Sequence, residues 1–400
     1  MFQREEIKPK FIGVIDFWTY KIRVGICKML NKSVELLWYW EKRQDLNDID
    51  LWEPKNLEAV CKNIADAINK AEIDAKIKVD EFVINSLSPL LFFESSRINF
   101  VRDINEEIDE EELYEIFKNI EEQAFRNNYR NIKSLSGYGK NDLKLIINNI
   151  SNIQLDGEFY SKNLTWTNPK EINVAILNIF TTLSKYELKE SIAKYLKKKI
   201  PNIIPTEFAL LSLFANKKNI VIIDLWNAHI SIIVKKDNYI LGAKKLAFGI
   251  NDLIKTIRAN YNFTKTDIIK KIDEDIFLSE KDEFLEIFKD VIAITLEDIL
   301  RWEICPYEFF MTGGGANKFV RDYLSNTNFN SYNLKLAKNV TFISPEIDFI
   351  DDKITENPNW IDEAKSNINI YAIIKASLDF VKKDKDKLER MIKRVVEEVG

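Results

Sequence analysis

Hydrophobic and polar residues alternate along the chain with two periods, one typical of strands and one typical of helices. Strands are predicted near 11–16, 20–29 and 33–40. A helix is predicted across 55–73, because apolar residues recur there at steps of three and four, at Leu57, Val60, Ile64 and Ile68. Strands that give way to helices in this order predict an α/β protein.

The pattern changes in the middle of the chain. Strand-like pieces surround a predicted helix at 108–125, whose first residues include carboxylates that suit the positive N-terminal end of a helix. A buried strand at 172–180 and an amphipathic helix at 184–199 then resume the earlier order. We therefore predict that residues 83–165 form a small α/β domain inserted into a larger one.

A second hairpin repeats the first one. Residues 219–236 align with residues 11–28 at an offset of 208, so that Asp224 falls on Asp16, and each aspartate is followed two residues later by a tryptophan. A repeat of this length predicts two similar halves, with one aspartate turn on each wall of a cleft. Because side chains of a strand alternate between faces, each tryptophan is expected on the same side as its aspartate. The alternative is a pair of ordinary buried hairpins that look alike.

A run of glycines follows the second hairpin. Residues 307–324 predict a short strand and a helix, joined by Thr312-Gly313-Gly314-Gly315-Ala316. Glycines between a strand and a helix allow the backbone to approach a ligand and to present unpaired N–H groups to it. A tight strand-to-helix connection without a ligand is the alternative.

Composition narrows the classes of function. Charged residues make up 30% of the chain and the net charge is −5, so nucleic acid is not an expected partner. Three scattered cysteines form neither a metal-binding spacing nor a disulfide framework, which is typical of a reducing cytosol. His229 is the only histidine, which argues against histidine triads and multi-histidine metal sites. No apolar run reaches the roughly 18 residues of a membrane span, so a soluble chain is expected.

With the two hairpins and the glycine run in order, the chain resembles the actin-like ATPase superfamily. The resemblance implies a duplicated, ribonuclease H-like fold of two lobes with a small α/β domain inserted in the first. Within the superfamily the chain resembles the bacterial division protein FtsA first and its relative PilM second. The implied domains are a first lobe at 1–82 and 166–216, the inserted domain at 83–165, a second lobe at 217–380 and a C-terminal amphipathic helix at 381–400.

The resemblance also assigns the residues of a nucleotide site. Asp16, Thr19 and Lys21 match the first phosphate motif, Asp-x-Gly-Thr-x-Lys, although a tryptophan replaces its glycine. Asp224 matches the second phosphate motif, and the resemblance implies that the two aspartates hold Mg²⁺ through water. The residues that match the adenosine side are Asp267, Lys270, Thr312, Gly313, Gly314 and Gly315.

The replaced glycines bear on catalysis. Each added side chain takes space that a phosphate needs, and indole is the largest side chain. The resemblance therefore implies that ATP hydrolysis is weak or lost, that ATP binds with Mg²⁺ weakly or not at all, and that no residue is catalytic. An active ATPase that polymerises on nucleotide is the alternative, with Trp18 and Trp226 turned into the core.

The FtsA likeness implies a cytoplasmic scaffold that links a cytoskeletal cell-division partner to the membrane. The PilM likeness implies an adaptor of type IV pilus assembly instead. Partners are then a tubulin-like division protein, or membrane proteins of the division or pilus machinery, besides self-association. The last helix, predicted within 384–400, has an apolar stripe that either lies on the inner face of the cell membrane or packs on the second half.

Overall fold

The computed structural model describes residues 10–399 except for 19–20, 31–32, 46–47, 51–52, 86–89, 104–105, 161–163, 275, 330, 344–353, 357–367 and 384–386. The strands are β1 (Lys10–Phe17), β2 (Lys21–Met29), β3 (Val34–Arg43), β4 (Ile49–Asp50), β5 (Glu53–Pro54), β6 (Glu81–Asn85), β7 (Leu91–Val101), β8 (Leu143–Leu155), β9 (Glu158–Phe159), β10 (Glu171–Thr182), β11 (Lys199–Ile204), β12 (Ile220–Leu225), β13 (Ile230–Lys236), β14 (Tyr239–Leu246), β15 (Glu308–Thr312), β16 (Thr341–Ile343) and β17 (Ile354–Glu356). The helices are α1 (Leu57–Ala75), α2 (Glu110–Ser136), α3 (Leu183–Leu196), α4 (Thr206–Leu213), α5 (Ile250–Asn260), α6 (Lys265–Lys271), α7 (Leu278–Leu300), α8 (Lys318–Ser325), α9 (Ile368–Lys383) and α10 (Lys387–Val399).

The chain divides into two compact units. The first comprises Met1–Phe92, Ser96–Leu213 and Ile347–Gly400, and the second comprises Phe93–Ser95 and Phe214–Glu346. The first unit contains a six-stranded sheet in the order β11-β6-β1-β2-β3-β17. Strand β1 runs antiparallel to β2 and parallel to β6, and α1 packs its predicted apolar stripe onto β2 and β3.

The second unit repeats this arrangement in the order β14-β13-β12-β15-β16. Strand β12 runs antiparallel to β13 and parallel to β15, as β1 does to β2 and β6. Helix α7 packs against β13 and β14, and its buried residues join one core with those of α5. The same strand order in both units confirms the duplication that the 208-residue repeat predicts.

The inserted segment forms a sheet of its own, in the order β7-β10-β8-β9, with α2 packed on it. Its limits differ from the predicted 83–165, because the sheet begins at Leu91 and includes β10, which the sequence pattern assigns to the first lobe. Strand β10 pairs with β8 along Ile172–Thr182, and this antiparallel ladder determines where the strand belongs. Helix α2 is also longer than the predicted 108–125.

Both C-terminal helices belong to the first unit, whereas the predicted second lobe extends to 380. Helix α9 contacts α4, β1 and β2, where Gly25 leaves room for the side chains of Ile370 and Ile374. Helix α10 packs on α2, with Ile392 and Val395 buried in the core of the inserted sheet. The apolar stripe of α10 is thus covered by the inserted segment and not by the second half. Within the described residues, no helix is long and apolar enough to cross a membrane.

Candidate functional site

The first aspartate turn connects β1 to β2, and two of the backbone donors that the structure describes there are used within the protein. The N–H of Phe17 donates to Oδ1 of Asn85 at 2.9 Å, and the N–H of Trp18 donates to the carbonyl of Lys21 at 2.9 Å. A turn that grips a phosphate leaves such N–H groups to the ligand. Thr19, which matches the phosphate motif, lies outside the described residues.

Asp16 lies near the end of β1, and its buried carboxylate accepts hydrogen bonds from three side chains. Oδ1 accepts from the indole N–H of Trp18 at 2.6 Å and from the amide of Asn85 at 2.8 Å. Oδ2 accepts from the guanidinium of Arg23 at 2.9 Å. The bond from Trp18 confirms that this indole lies on the same side as its aspartate.

Alternating charges extend from Asp16 across β1, β2 and β3. Arg23 also contacts Glu41, with Nε 3.2 Å from Oε2, and Lys21 contacts Oε1 of the same carboxylate at 2.5 Å. Burial raises the pKa of Asp16, and Arg23 and Trp18 oppose that rise. Burial acts to raise the pKa of Glu41 as well, but Lys21 and Arg23 bring it below its usual range. Lys21, which the resemblance assigns to the phosphate, therefore serves an ion pair.

These contacts do not fit a divalent metal at Asp16. A magnesium ion keeps several waters and binds carboxylate oxygens that face it or its waters. Both oxygens of Asp16 face protein donors instead, and one of those donors is a cation. In the described part of the chain, no three histidine, cysteine or acidic side chains lie together as a metal site.

The second aspartate turn repeats a backbone hydrogen bond of the first, shifted by 208 residues. The N–H of Trp226 donates to the carbonyl of His229 at 2.9 Å, and Asp224 lies opposite Ser231 in the strand register. This agreement favours a duplicated turn over two unrelated hairpins. Burial, with the nearby charge of Lys245, lowers the pKa of His229 to about 2, so the imidazole is neutral. The predicted juxtaposition of the two aspartates stays a prediction.

The first residues of helix α5 donate hydrogen bonds to the backbone of the second turn. The N–H of Ile250 donates to the carbonyl of Trp226 at 3.1 Å, and the N–H of Asn251 donates to the carbonyl of Asn227 at 2.7 Å. Gly249 permits this approach, since a β-carbon there would lie 2.4 Å from the carbonyl oxygen of Trp226. The first N–H groups of a helix are the donors that an anion would use. Here two of them already have carbonyl partners.

The glycine run packs against the end of β12. Gly313 has a φ of +95°, and a β-carbon there would lie 2.1 Å from the carbonyl oxygen of Leu225 and 2.8 Å from Oδ1 of Asp224. The N–H of Gly315 donates to the same Leu225 carbonyl at 2.8 Å. Thr312 is buried and pairs with Asp224 across the two parallel strands. The close approach of two backbones accounts for the first and third glycines.

The indole of Trp226 lies over the middle glycine of that run. A β-carbon on Gly314 would be 3.5 Å from Cζ3 of the indole. The large side chain therefore fills space at the second turn. Asp267 and Lys270, the remaining adenosine-side residues, lie on α6. The carboxylate of Asp267 accepts from the hydroxyl of Thr264 at 2.5 Å, and Lys270 is exposed, so Asp267 supports the start of the helix.

Prediction from the sequence did not identify two residues that bind the carboxylate of Asp16 in the first turn, Arg23 and Asn85. Arg23 lies opposite Asp16 in the antiparallel register, and a hairpin register centred between residues 19 and 20 is a signal that identifies it. Asn85 is the last residue of β6, and a polar residue at the end of a buried strand is a weaker signal. Its partner Asp16 is 69 residues away, so its role depends on the parallel pairing of β1 with β6.

A cavity of about 740 Å³ lies in the first unit, and Asp16 is not among the residues that line it. It is bounded by β1, β6 and β11 of the six-stranded sheet, by β8 of the inserted sheet and by α10. Its apolar lining includes Ile12, Val83, Leu145, Ile203, Ile392 and Val396. Its charged lining is mainly basic, with Lys10, Lys144, Lys199, Arg390 and Lys393 against Glu81 and Glu397. Pockets for small ligands have volumes of this order.

Comparison with known proteins identifies the fold. No protein-family model matches the sequence, and no curated protein matches it. A solved structure of a PilM–PilN type IV pilus biogenesis complex matches with a TM-score of 0.60 and 11% identity, over 91% of this chain and 98% of that chain. A Bacteroides thetaiotaomicron protein with an actin-like ATPase fold and unknown function matches with a TM-score of 0.42 and 10% identity, over 93% and 98% of the two chains. A ROK hexokinase from Thermus thermophilus matches with a TM-score of 0.41 and 9% identity, over 92% and 99%. The chain has the predicted actin-like ATPase fold.

Proposed function

We propose that this protein is a non-hydrolysing adaptor of the actin-like fold that binds a cytosol-facing segment of a membrane-anchored assembly protein. The partner proposed is a membrane protein of a type IV pilus machine, because the PilM–PilN structure is similar over nearly the whole of both chains. The observation that carries the proposal is the cavity between the six-stranded sheet, the inserted sheet and α10.

The chemistry of the cavity favours an extended peptide. Strand β11 is the terminal strand of the six-stranded sheet, and four of its residues line the cavity, namely Lys199, Pro201, Asn202 and Ile203. A sheet edge binds an extended segment through its backbone, while side-chain pockets beside it supply specificity. The apolar floor and basic rim suit a segment that carries apolar and acidic side chains.

The aspartate turns support an adaptor over an ATPase. Phosphoryl transfer depends on close donors and a metal that surround the γ-phosphate. In both turns the backbone donors described above are bound to protein acceptors, and Asp16 is bound to Arg23. We accordingly propose that ATP is neither hydrolysed nor tightly bound with Mg²⁺.

The packing of α10 bears on how the protein would reach the membrane. The apolar stripe of α10 is packed on α2, with Val395 fully buried. We propose that the protein resides in the cytoplasm and reaches the inner face of the membrane through its partner, and not by inserting α10.

The proposal is tested by binding measurements on the full chain. Calorimetric titration of Mg-ATP is expected to show no binding in the micromolar range, and an array of synthetic peptides from the cytosolic termini of the host's pilus-assembly membrane proteins is expected to contain a binder. Lys199→Glu should weaken that binding at least tenfold, whereas Lys197→Glu, on an exposed lysine outside the cavity, should not. Binding of the host's tubulin-like division protein, with no peptide bound, would contradict the pilus assignment and favour an FtsA-like role.

A further inference from the structure

The two aspartate turns differ at the residue that lies opposite the aspartate in the antiparallel strand. Arg23 lies opposite Asp16 in the first hairpin, and Ser231 lies opposite Asp224 in the second. These two residues are themselves 208 positions apart, the offset that relates all of the matched positions. One half of the duplicated fold thus carries a cation at this place, and the other half carries a small neutral residue.

Two carboxylates, those of Asp16 and Glu41, hold the guanidinium of Arg23 in place. Its guanidinium donates through Nη1 to Oδ2 of Asp16 at 2.9 Å and through Nε to Oε2 of Glu41 at 3.2 Å. Its side chain is 11% exposed, whereas the side chain of Asp16 has no exposure. The planar fork of an arginine holds such a geometry more rigidly than a lysine would.

We propose that Arg23 is a built-in cation that replaces a divalent metal at Asp16 and makes the first turn reject metal-bound phosphate. A buried carboxylate needs a positive partner, and the guanidinium supplies one without any ligand. A metal ion that approached the same carboxylate would come close to the guanidinium, and two cations repel strongly where water is excluded. Removing the two indoles alone therefore does not create a metal site.

This role is distinct from the adaptor function, because it concerns the first turn and not the cavity. Two explanations are possible for a first turn that does not bind metal-bound phosphate, and the role of Arg23 distinguishes them. If bulk alone blocked the turn, smaller residues at positions 18 and 226 would restore metal binding. If Arg23 neutralises Asp16, metal binding returns only when the guanidinium is removed.

The test compares the wild-type chain with Arg23→Ser, Arg23→Lys, Asp16→Asn and the double variant Asp16→Asn/Arg23→Ser, using Mn²⁺ without nucleotide as the probe. Binding is measured by electron paramagnetic resonance and by the melting temperature. Arg23→Ser is expected to bind Mn²⁺ at least tenfold more tightly than the wild type and to gain several degrees of melting temperature from it. Arg23→Lys, which keeps the charge, and the double variant, which lacks the carboxylate, should show neither effect.

Two outcomes would overturn the proposal. One is a wild-type chain whose Mn²⁺ binding is lost in Asp16→Asn, since Asp16 would then hold the metal beside Arg23. The other is an Arg23→Ser variant that folds and shows no gain from Mn²⁺. If Arg23→Ser does not fold in metal-free buffer, refolding with Mn²⁺ is expected to recover it. Failure to refold in the presence of Mn²⁺ as well also contradicts the proposal.

Discussion

A β-carbon on Gly313 would lie 2.1 Å from the carbonyl oxygen of Leu225, and the backbone of Gly313 has a φ of +95°. Only glycine fits both the positive φ and the contact. The contact joins the glycine run to the end of β12 beside Asp224. The run that the resemblance assigns to adenosine thus also has a structural role within the second unit.

Gly313→Ala is therefore expected to destabilise the protein by about 3 kcal/mol, because the added methyl group meets a carbonyl oxygen and the backbone is strained. Gly314→Ala is the matched control, since its β-carbon would make an ordinary 3.5 Å contact with Trp226. Denaturant unfolding of the two variants measures the difference. Equal losses of stability would contradict this account of the glycine run.

A second close contact links β1 to β6. A β-carbon on Gly13 would lie 2.0 Å from the ring of Phe82, which pairs with it across the parallel strands. Gly13→Ala is expected to cost about 2 kcal/mol through overpacking, and less in a Phe82→Leu background, where the ring is gone. A double-mutant cycle measured by urea unfolding checks this. Additive effects would show that the two positions do not compete for space.

The pH dependence of stability is expected to depend on Glu121. This buried carboxylate of α2 accepts from the amide of Asn148 at 3.0 and 3.1 Å, and burial raises its pKa to about 7 from 4.5. Because the folded state holds the proton more tightly, the contribution to stability is full below pH 4.5 and is lost as the pH rises through 7. The loss is about 3 kcal/mol at most.

Glu121→Gln should remove this dependence and make the variant more stable than the wild type at pH 8 by a larger margin than at pH 5. Glu122→Gln, on the neighbouring half-buried residue, is the control. Chemical denaturation at a series of pH values gives both curves. Parallel curves for the wild type and Glu121→Gln would contradict the prediction.

The packing of α10 on α2 is expected to depend on Val395, which is fully buried. Val395→Asp would place a charge in an apolar contact and should release the helix, so that its amides exchange with deuterium at least tenfold faster. Arg394→Asp, at the adjacent exposed position, should leave exchange nearly unchanged. Unchanged protection in Val395→Asp would mean that another contact, such as Glu398 with Lys118, holds the helix by itself.

Several features follow from local sequence alone. The hairpins, the apolar stripe of α1 and the repeat of Asp16 in Asp224 are read from neighbouring residues, because the period of a strand or helix is set over a few positions. The same repeat and the glycine run carry the resemblance to the actin-like ATPase superfamily, which implied the fold. Strand alternation also places Trp18 beside Asp16, as the hydrogen bond between them confirms.

Other features were decided by tertiary contacts between distant segments. Strand β10 joins the inserted sheet through its pairing with β8, and α10 packs on α2 although more than 250 residues separate Lys118 from Glu398. Besides Trp18, Asp16 binds Arg23 of β2 and Asn85 of β6, because a buried carboxylate must find its hydrogen-bond donors within the protein. Sequence thus determined that an aspartate lies at each turn and that an arginine lies opposite the first one, whereas the parallel pairing of β1 with β6 decided that Asn85 also binds it.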